Sequence, residues 1–498
     1  MTIPSEAAGG AGAQSPSSSA AVAGDGPGPT PPPGCPAHGG DPGTTTTARH
    51  GPEARRDPAG TYRRLRSAHG PVAPVELEGG ASAWLVLGYR ENTEAARTPN
   101  RFTRDARIWR DWKQGRIPAD SPLVPILGWR PDCTSQDGVE HRRLRSAVDD
   151  CVARVDRHGV RRHIQRYANQ LIDSFVEQGR ADLVTQFAEQ LPMLVFTRLF
   201  GMAEEEAARL MEASAGLVRG GEKAIEYNDF VINSLMALAR NRRAAPGHDL
   251  ASWLVQHEAD LSDEEVVGHL WMVMVAGNET TTSLISSTLR MVLTDPRFRA
   301  SLVGGLMTLP DAIEQMLWDE PPLMVCPARY ATADMQFGGQ FVREGDLLLL
   351  GLAAGNADPD VRPDPRAPMQ GNRSNLAFSS GPHECPGQEI GRAITDTGVD
   401  VLLSRLPDLT LTIAEDELTW TSSTWSRHLD TLPVHFTPQR KSTGSPTPAP
   451  ADPAPAAEES AAAPGIAASE IGAPGTVTQE GRRGGWRTLL SRLGRRRN

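Results

Sequence analysis

The sequence predicts a mainly α-helical domain with small β-sheets at its edge, on three observations. Apolar residues recur at helical spacing from Leu261 to about Thr294, enough for one helix to cross a whole domain. Strand-like runs are short and isolated, at Ala81–Leu87, Gln340–Val342 and Leu347–Leu350. Both ends of the chain turn to Pro, Ala, Gly, Ser and Thr, which confines the regular apolar–polar alternation to residues 56–438.

Residues 1–55 hold almost no large apolar side chain and cannot bury enough surface to offset their ordering entropy, so they are expected to lack fixed structure. Cys35 and His38 lie there; two potential ligands in a loose tail are read as having no function. The first strand follows at Ala81–Leu87. In Glu140–Arg145, read as helix, His141 and Arg145 fall at i, i+4 on one face. Ser262 and Glu265 form a capping-box signature, in which the hydroxyl caps the first turn and the carboxylate reaches back. The long helix they open is stopped by Asp295-Pro296. Helical spacing returns at Gln388–Leu403. Residues 439–484 read as a linker. In residues 485–498, Trp486, Leu489, Leu490 and Leu493 fall at i, i+3, i+4 and i+7 among arginines, the pattern of a short basic amphipathic helix. Such a helix suits an anionic membrane surface or an acidic partner protein.

Composition excludes some functions. With 51 Lys+Arg against 61 Asp+Glu the net charge is −10, which disfavours nucleic acid as a partner. The five cysteines (Cys35, Cys133, Cys151, Cys326, Cys385) are scattered and lack C-x-x-C spacing, so neither a disulfide framework nor a zinc site is expected. No stretch approaches the ~18 consecutive apolar residues of a membrane span, and no signal pattern opens the chain. The expectation is a soluble cytoplasmic protein, peripheral at a membrane only through its C-terminal helix.

The chemistry concentrates at Cys385. It stands in Phe378-Ser-Ser-Gly381-Pro-His383-Glu-Cys385-Pro-Gly387, ahead of a helix. Gly381 and Gly387 let the backbone turn and come close where a Cβ would clash. The helix N-terminus favours negative charge on sulfur, and the ring of Phe378 can shield that sulfur from water. A thiolate that must approach a flat metal cofactor would be presented this way. The pattern F-x-x-G-x-H-x-C-x-G resembles the haem-ligand loop of the cytochrome P450 family, where the equivalent cysteine is the proximal iron ligand.

The resemblance covers residues 57–437 and implies a cytochrome P450 fold, with haem b between the long helix and the helix after Cys385. Ala276-Gly277-Asn278-Glu279-Thr280 in the long helix resembles the family's oxygen-binding segment. Small residues in a helix interior make sense where something lies against it. Glu279 and Thr280 would relay protons, and Thr280 can bend the helix by bonding back to a carbonyl. His141, Arg145, Arg329 and His383 match the family's propionate partners, as two cationic donors on one helical face would suit a carboxylate. Asn375 stands where many relatives have histidine, so one propionate contact is expected to weaken. A substrate pocket is expected from Ile108–Trp129, Met274, Ala276 and Ser422–Leu429. The resemblance further implies a small hydrophobic substrate, and electrons from NAD(P)H through ferredoxin and ferredoxin reductase.

One departure matters. The family's E-x-x-R positions hold Gln315 and Trp318, so Arg366, read as the third member of that core, would lose its ionic partners. Glu314 cannot substitute, because one residue along a helix turns about 100° to another face. Gln315 and Trp318 are expected to hold the core by packing and neutral hydrogen bonds. The competing reading is a catalytically impaired haem-binding protein serving a partner complex or sensing; the intact Glu279-Thr280 pair favours the enzyme.

Overall fold

The computed structural model describes Thr47–Ala48 and residues 57–442, apart from 78–79, 120, 122, 204–205, 207–208, 211, 215–223, 296–297, 299–303, 306, 370 and 424. Cys35, His38, most of the linker and the basic helix at 485–498 lie outside the described residues.

The expected mainly α architecture is present. The long helix α8 (Asp263–Thr294) carries the predicted capping box. Glu265 N–H donates to the Ser262 hydroxyl at 3.2 Å, and Ser262 N–H donates to the Glu265 carboxylate at 2.9 Å. Around it lie α3 (Gly138–Ala153), α4 (Arg157–Phe175), α5 (Gln190–Leu199), α6 (Ala224–Ala244), α7 (Leu250–Val255), α9 (Leu309–Asp319) and α11 (Gln388–Arg405). It is buried along most of its length, and its buried residues include the polar Thr281, Thr282, Ser283, Ser286, Ser287 and Thr288 beside the apolar ones. Val266, Leu270 and Met274 enter one cluster with Leu144, Leu235 and Leu254, while Ile285 and Leu289 enter another with Ile172, Phe187 and Val399.

The remaining described structure is a six-stranded sheet, a three-stranded sheet in the order β10 (Thr410–Leu411), β13 (Pro433–His435), β5 (Arg180–Asp182), and two hairpins, one of them β7 (Met335–Phe337) with β8 (Gln340–Val342). The six-stranded order is β1 (Thr47–Ala48), β2 (Val72–Glu76), β3 (Ser82–Val86), β9 (Leu347–Leu350), β6 (Cys326–Ala331), β4 (Phe102–Thr103). Strand β9 is buried along its whole length, which explains its unbroken run of leucines. It pairs parallel to β3 and antiparallel to β6. Two short helices, α1 (Pro58–His69) and α2 (Tyr89–Arg97), flank this sheet, and α10 (Leu352–Asn356) follows β9. The hairpin of β11 (Trp420–Ser422) and β12 (Arg427–Leu429) lies against α8. No described helix is long and apolar enough to cross a membrane.

Candidate active site

The Cys385 loop is built by its backbone. Ser379 and Gly381 both adopt positive φ, 61° and 73°, and a Cβ on Gly381 would stand 2.9 Å from the Ala96 carbonyl of α2. Glycine is therefore required at 381 by a close approach as well as by the turn. The Cys385 N–H donates to the Phe378 carbonyl at 3.0 Å and closes the loop. Its entry is pinned by Asn356, whose amide accepts from Leu376 N–H at 2.8 Å and donates to Leu317 O at 2.9 Å. A Cβ on Gly387 would lie 3.9 Å from Cys385 Sγ, so the sulfur sits beside the first turn of α11. Burial pushes the Cys385 thiol up, against the pull of the Gly387 N–H. Arg392 lies 4.5 Å from the Phe378 ring centroid and braces it. Among the described residues no three His, Cys, Asp or Glu side chains could hold a metal together. One sulfur suffices only for a metal that arrives with its other ligands.

At the far side of this loop stands a concentration of unbalanced positive charge. Arg329 on β6 is 1% exposed, and its nearest acceptor is the Ala96 carbonyl at 3.5 Å. Its Nε and Nη1 have no partner, and burial pulls its pKa down to about 9. The Arg104 side chain donates to two carbonyls, Thr134 O at 2.7 Å and Pro327 O at 2.6 Å, and reaches Cys326 Sγ at 3.9 Å. The His141 and His383 rings lie 4.2 Å apart, and His141 Nε2 is buried without a partner. The carboxylate bonded into this group is Asp137, whose oxygens accept from His383 Nε2 at 2.9 Å, Thr103 Oγ1 at 2.6 Å and Arg104 N–H at 2.7 Å. Burial alone would raise the Asp137 carboxyl, but those hydrogen bonds hold it below its ordinary value. Burial lowers His383, so a neutral imidazole donates to Asp137. A buried guanidinium without a counter-ion is costly. The carboxylates of a porphyrin would supply that counter-ion, so the residues present fit haem.

Arg145 takes part less directly than its spacing suggests. It pairs with Asp149 at 2.7 Å, and donates to the Pro382 carbonyl at 3.2 Å, tying α3 to the cysteine loop. Asn375 donates to Glu314 at 3.1 Å, which gives it a structural task.

On α8, Thr280 donates to the Ala276 carbonyl at 2.7 Å, the back-bond expected to bend the helix. Ala276 is exposed although it lies mid-helix, so open space adjoins it. Gly277 has a different reason: a Cβ there would stand 2.9 Å from Phe196 Cζ on α5. Its close neighbour is protein. Glu279 pairs with His428 of β12 at 2.9 Å. A Cβ on Gly391 would lie 3.8 Å from Thr281 Oγ1, so α8 and α11 touch next to both motifs. Ile108, Val124, Trp129, Met324 and Trp425 pack on one cluster beside the sheet, which joins two of the loops expected to line a pocket. Met274 does not join them; it is fully buried in the helical cluster with Leu270 and Phe200.

The core that lacks E-x-x-R is rewired. Trp318 is 1% exposed and its indole donates to Asn372 O at 2.7 Å. Gln315 accepts from Met369 N–H at 2.8 Å and donates to Asp319 Oδ2 at 2.9 Å. The expectation for Arg366 is corrected: it is exposed, and Arg362 is the buried arginine, 2.6 Å from Asp319 Oδ1. The neutral side chains are supplemented by an ion pair one residue beyond the motif. Glu314 serves another set, accepting from Arg392 at 2.7 Å.

Known proteins resemble this chain in sequence and in fold. The cytochrome P450 monooxygenase PikC of Streptomyces venezuelae is 30% identical over 398 residues, 78% of this chain and 92% of that protein. Mycinamicin IV hydroxylase/epoxidase of Micromonospora griseorubida is 31% identical over 393 residues, 76% of this chain and 95% of that protein. The chain belongs to the cytochrome P450 family. A solved P450, CYP154C4 from Streptomyces sp. W2061, matches with a TM-score of 0.72 at 28% identity, covering 78% of this chain and 98% of that one. No family model matches the chain. As a P450 it uses haem b, with electrons from NAD(P)H through partners, and its relatives are monooxygenases and hydroxylases.

Sequence reasoning missed Asp137, Arg104, Asp319, Arg362 and His428. Asp319 lies i, i+4 from Gln315, a visible spacing. The others meet their partners across the chain and leave no local signal.

Proposed function

We propose that this P450 is a haem-thiolate monooxygenase that activates dioxygen with electrons from a separate ferredoxin-type partner and oxidises a small hydrophobic organic molecule. The observation that carries the reading is Arg329, fully buried without a counter-ion beside His141 and His383, at one end of the Cys385 loop. Haem bound there supplies the oxidising chemistry, with the Cys385 thiolate donating electron density to iron. Arg329 and His141, whose buried nitrogens lack partners, would hold its carboxylates. Asp137 fixes the orientation of His383, and Arg145 holds the loop through the Pro382 carbonyl. Phe378, braced by Arg392, limits water near the sulfur, and Gly387 leaves room beside it. Ala276 keeps the middle of α8 open. Glu279 and Thr280 are the acid and the hydroxyl that would relay protons there. Relatives named 6-deoxyerythronolide B hydroxylase and mycinamicin IV hydroxylase/epoxidase support hydroxylation as the reaction type.

The bonded Gln315–Asp319–Arg362 set supports an enzyme over a haem binder that has lost turnover. The test is NADPH oxidation and product formation by the haem-loaded chain with a ferredoxin and its reductase, across a panel of lipophilic compounds that perturb the Soret band. Product is expected. A chain that takes up haem and electrons yet consumes no dioxygen would establish the binder.

A further inference from the structure

Glu279 is not left to solvent, and its partner lies on a different element. The Glu279 carboxylate lies 2.9 Å from His428 Nδ1, an ion-pair distance rather than an aligned hydrogen bond, and with side-chain exposures of 24% and 23% the pair is mostly enclosed yet in contact with water. His428 stands opposite Thr421 in the β11–β12 hairpin, and that hairpin is fixed to α8 from several directions. The Trp420 ring lies 4.0 Å from Arg427 and 5.6 Å from Arg290 of α8. The Ser283 hydroxyl donates to Arg427 O at 3.4 Å, and the Thr421 hydroxyl donates to Asp430 at 2.6 Å. The imidazole is therefore held against the acid by a rigid support, as a group that orients another must be.

We propose that His428 is the positioning residue of the proton path: it fixes the Glu279 carboxylate beside Thr280 and passes protons to it from the β11–β12 side. The inference rests on the reading of Glu279 and Thr280 as proton carriers. A neutral His428 with its proton on Nδ1 takes a proton from hydronium at Nε2 and, turned onto the acid, gives the Nδ1 proton to the Glu279 carboxylate, so a water is released, the ring ends neutral and the acid ends protonated. The charged groups facing it are Glu279 on α8, Asp430 after β12 and Glu189 before α5, all acidic. The close approach of the accepting Glu279 carboxylate is the main cause raising His428 above its ordinary value, against burial. Stability from this pair is therefore full below the unfolded histidine pKa and is lost as pH rises through the folded one. Because Ser422–Leu429 was expected to line the substrate pocket, a ligand that shifts the hairpin would also shift the acid.

Two measurements on the full haem-loaded chain test this. Imidazole NMR of the reduced carbon monoxide form, with the His428 signal identified by its loss in His428→Gln, should give a pKa above that of an ordinary histidine. Glu279→Gln should return it to the ordinary value or below. An unchanged pKa in Glu279→Gln overturns the pairing. The second measurement is the ratio of NADPH to dioxygen consumed without substrate, using a surrogate ferredoxin and reductase. Reduction to peroxide consumes one NADPH and reduction to water two. Proton delivery favours water, so His428→Gln should move the ratio toward peroxide, and the pH dependence seen in the parent should flatten. If Thr280→Ala moves the ratio and His428→Gln leaves both ratio and pH profile alone, the role of His428 is wrong. If Thr280→Ala itself changes nothing, the proton-carrier reading fails and takes this inference with it.

Discussion

Arg362→Ala should loosen the segment that carries Cys385, whereas Arg366→Ala should do almost nothing. The Arg362 side chain is 5% exposed and pairs with Asp319 at 2.6 Å, while Asp319 is 36% exposed. Breaking a fully buried pair costs about 3–5 kcal/mol. Asp319 is open enough to regain water when its partner goes, so the loss should fall to about 2 kcal/mol. With ~2.1 cal/mol/K of unfolding entropy per residue over residues 57–442, that lowers Tm by about 2–3 °C. If the opening is local, its equilibrium rises by up to about 30-fold. Replacing an exposed side chain such as Arg366 changes stability by no more than about 0.5 kcal/mol. The assay is thermal melting together with the rate at which the reduced carbon monoxide complex loses its thiolate-type Soret band. Equal damage from Arg366→Ala and Arg362→Ala would refute the rewired core and restore Arg366 as its third member.

Further outcomes follow from the same geometry. Trp318→Arg removes the indole bond to Asn372 and buries a charge, so it should cost about 3 kcal/mol. Adding Gln315→Glu should not rescue it, because position 315 faces Asp319; a double variant melting at or above the parent would contradict this. Arg329→Met should stabilise the haem-depleted protein by about 2 kcal/mol, as an unpaired buried charge is removed, while speeding haem loss to apomyoglobin. If that variant destabilises both forms, Arg329 has a protein partner instead. Thr280→Ala should keep haem but divert electrons to peroxide, read by peroxide assay during NADPH oxidation.

Much of the fold was legible because its strongest elements are locally encoded. Ser262 and Glu265 fix the start of α8, Asp295-Pro296 its end, and the unbroken leucines of β9 are a buried central strand. The candidate site was legible where it is a contiguous loop, from Phe378 to Gly387, and where an acid and an alcohol stand side by side in the chain, as at Glu279-Thr280. It was illegible where function depends on pairing across the chain. Asp137 precedes α3, yet its task is set by His383 and Thr103. The choice between Arg362 and Arg366 is made by the path of an irregular loop, which no periodicity reports. Gly277 was read as room for a ligand, and it is room for Phe196.

The central claim is that Cys385 is the thiolate ligand of haem iron. The measurement is the carbon monoxide difference spectrum of the reduced, haem-loaded chain, beside Cys385→Ala, Cys133→Ala and Cys151→Ala. Cys133 is buried with its thiol pushed up to about 12, so it should not substitute as a thiolate. The account predicts a thiolate-type Soret band in the parent and in the Cys133 and Cys151 variants, and its loss in Cys385→Ala. An unchanged band in Cys385→Ala would contradict it.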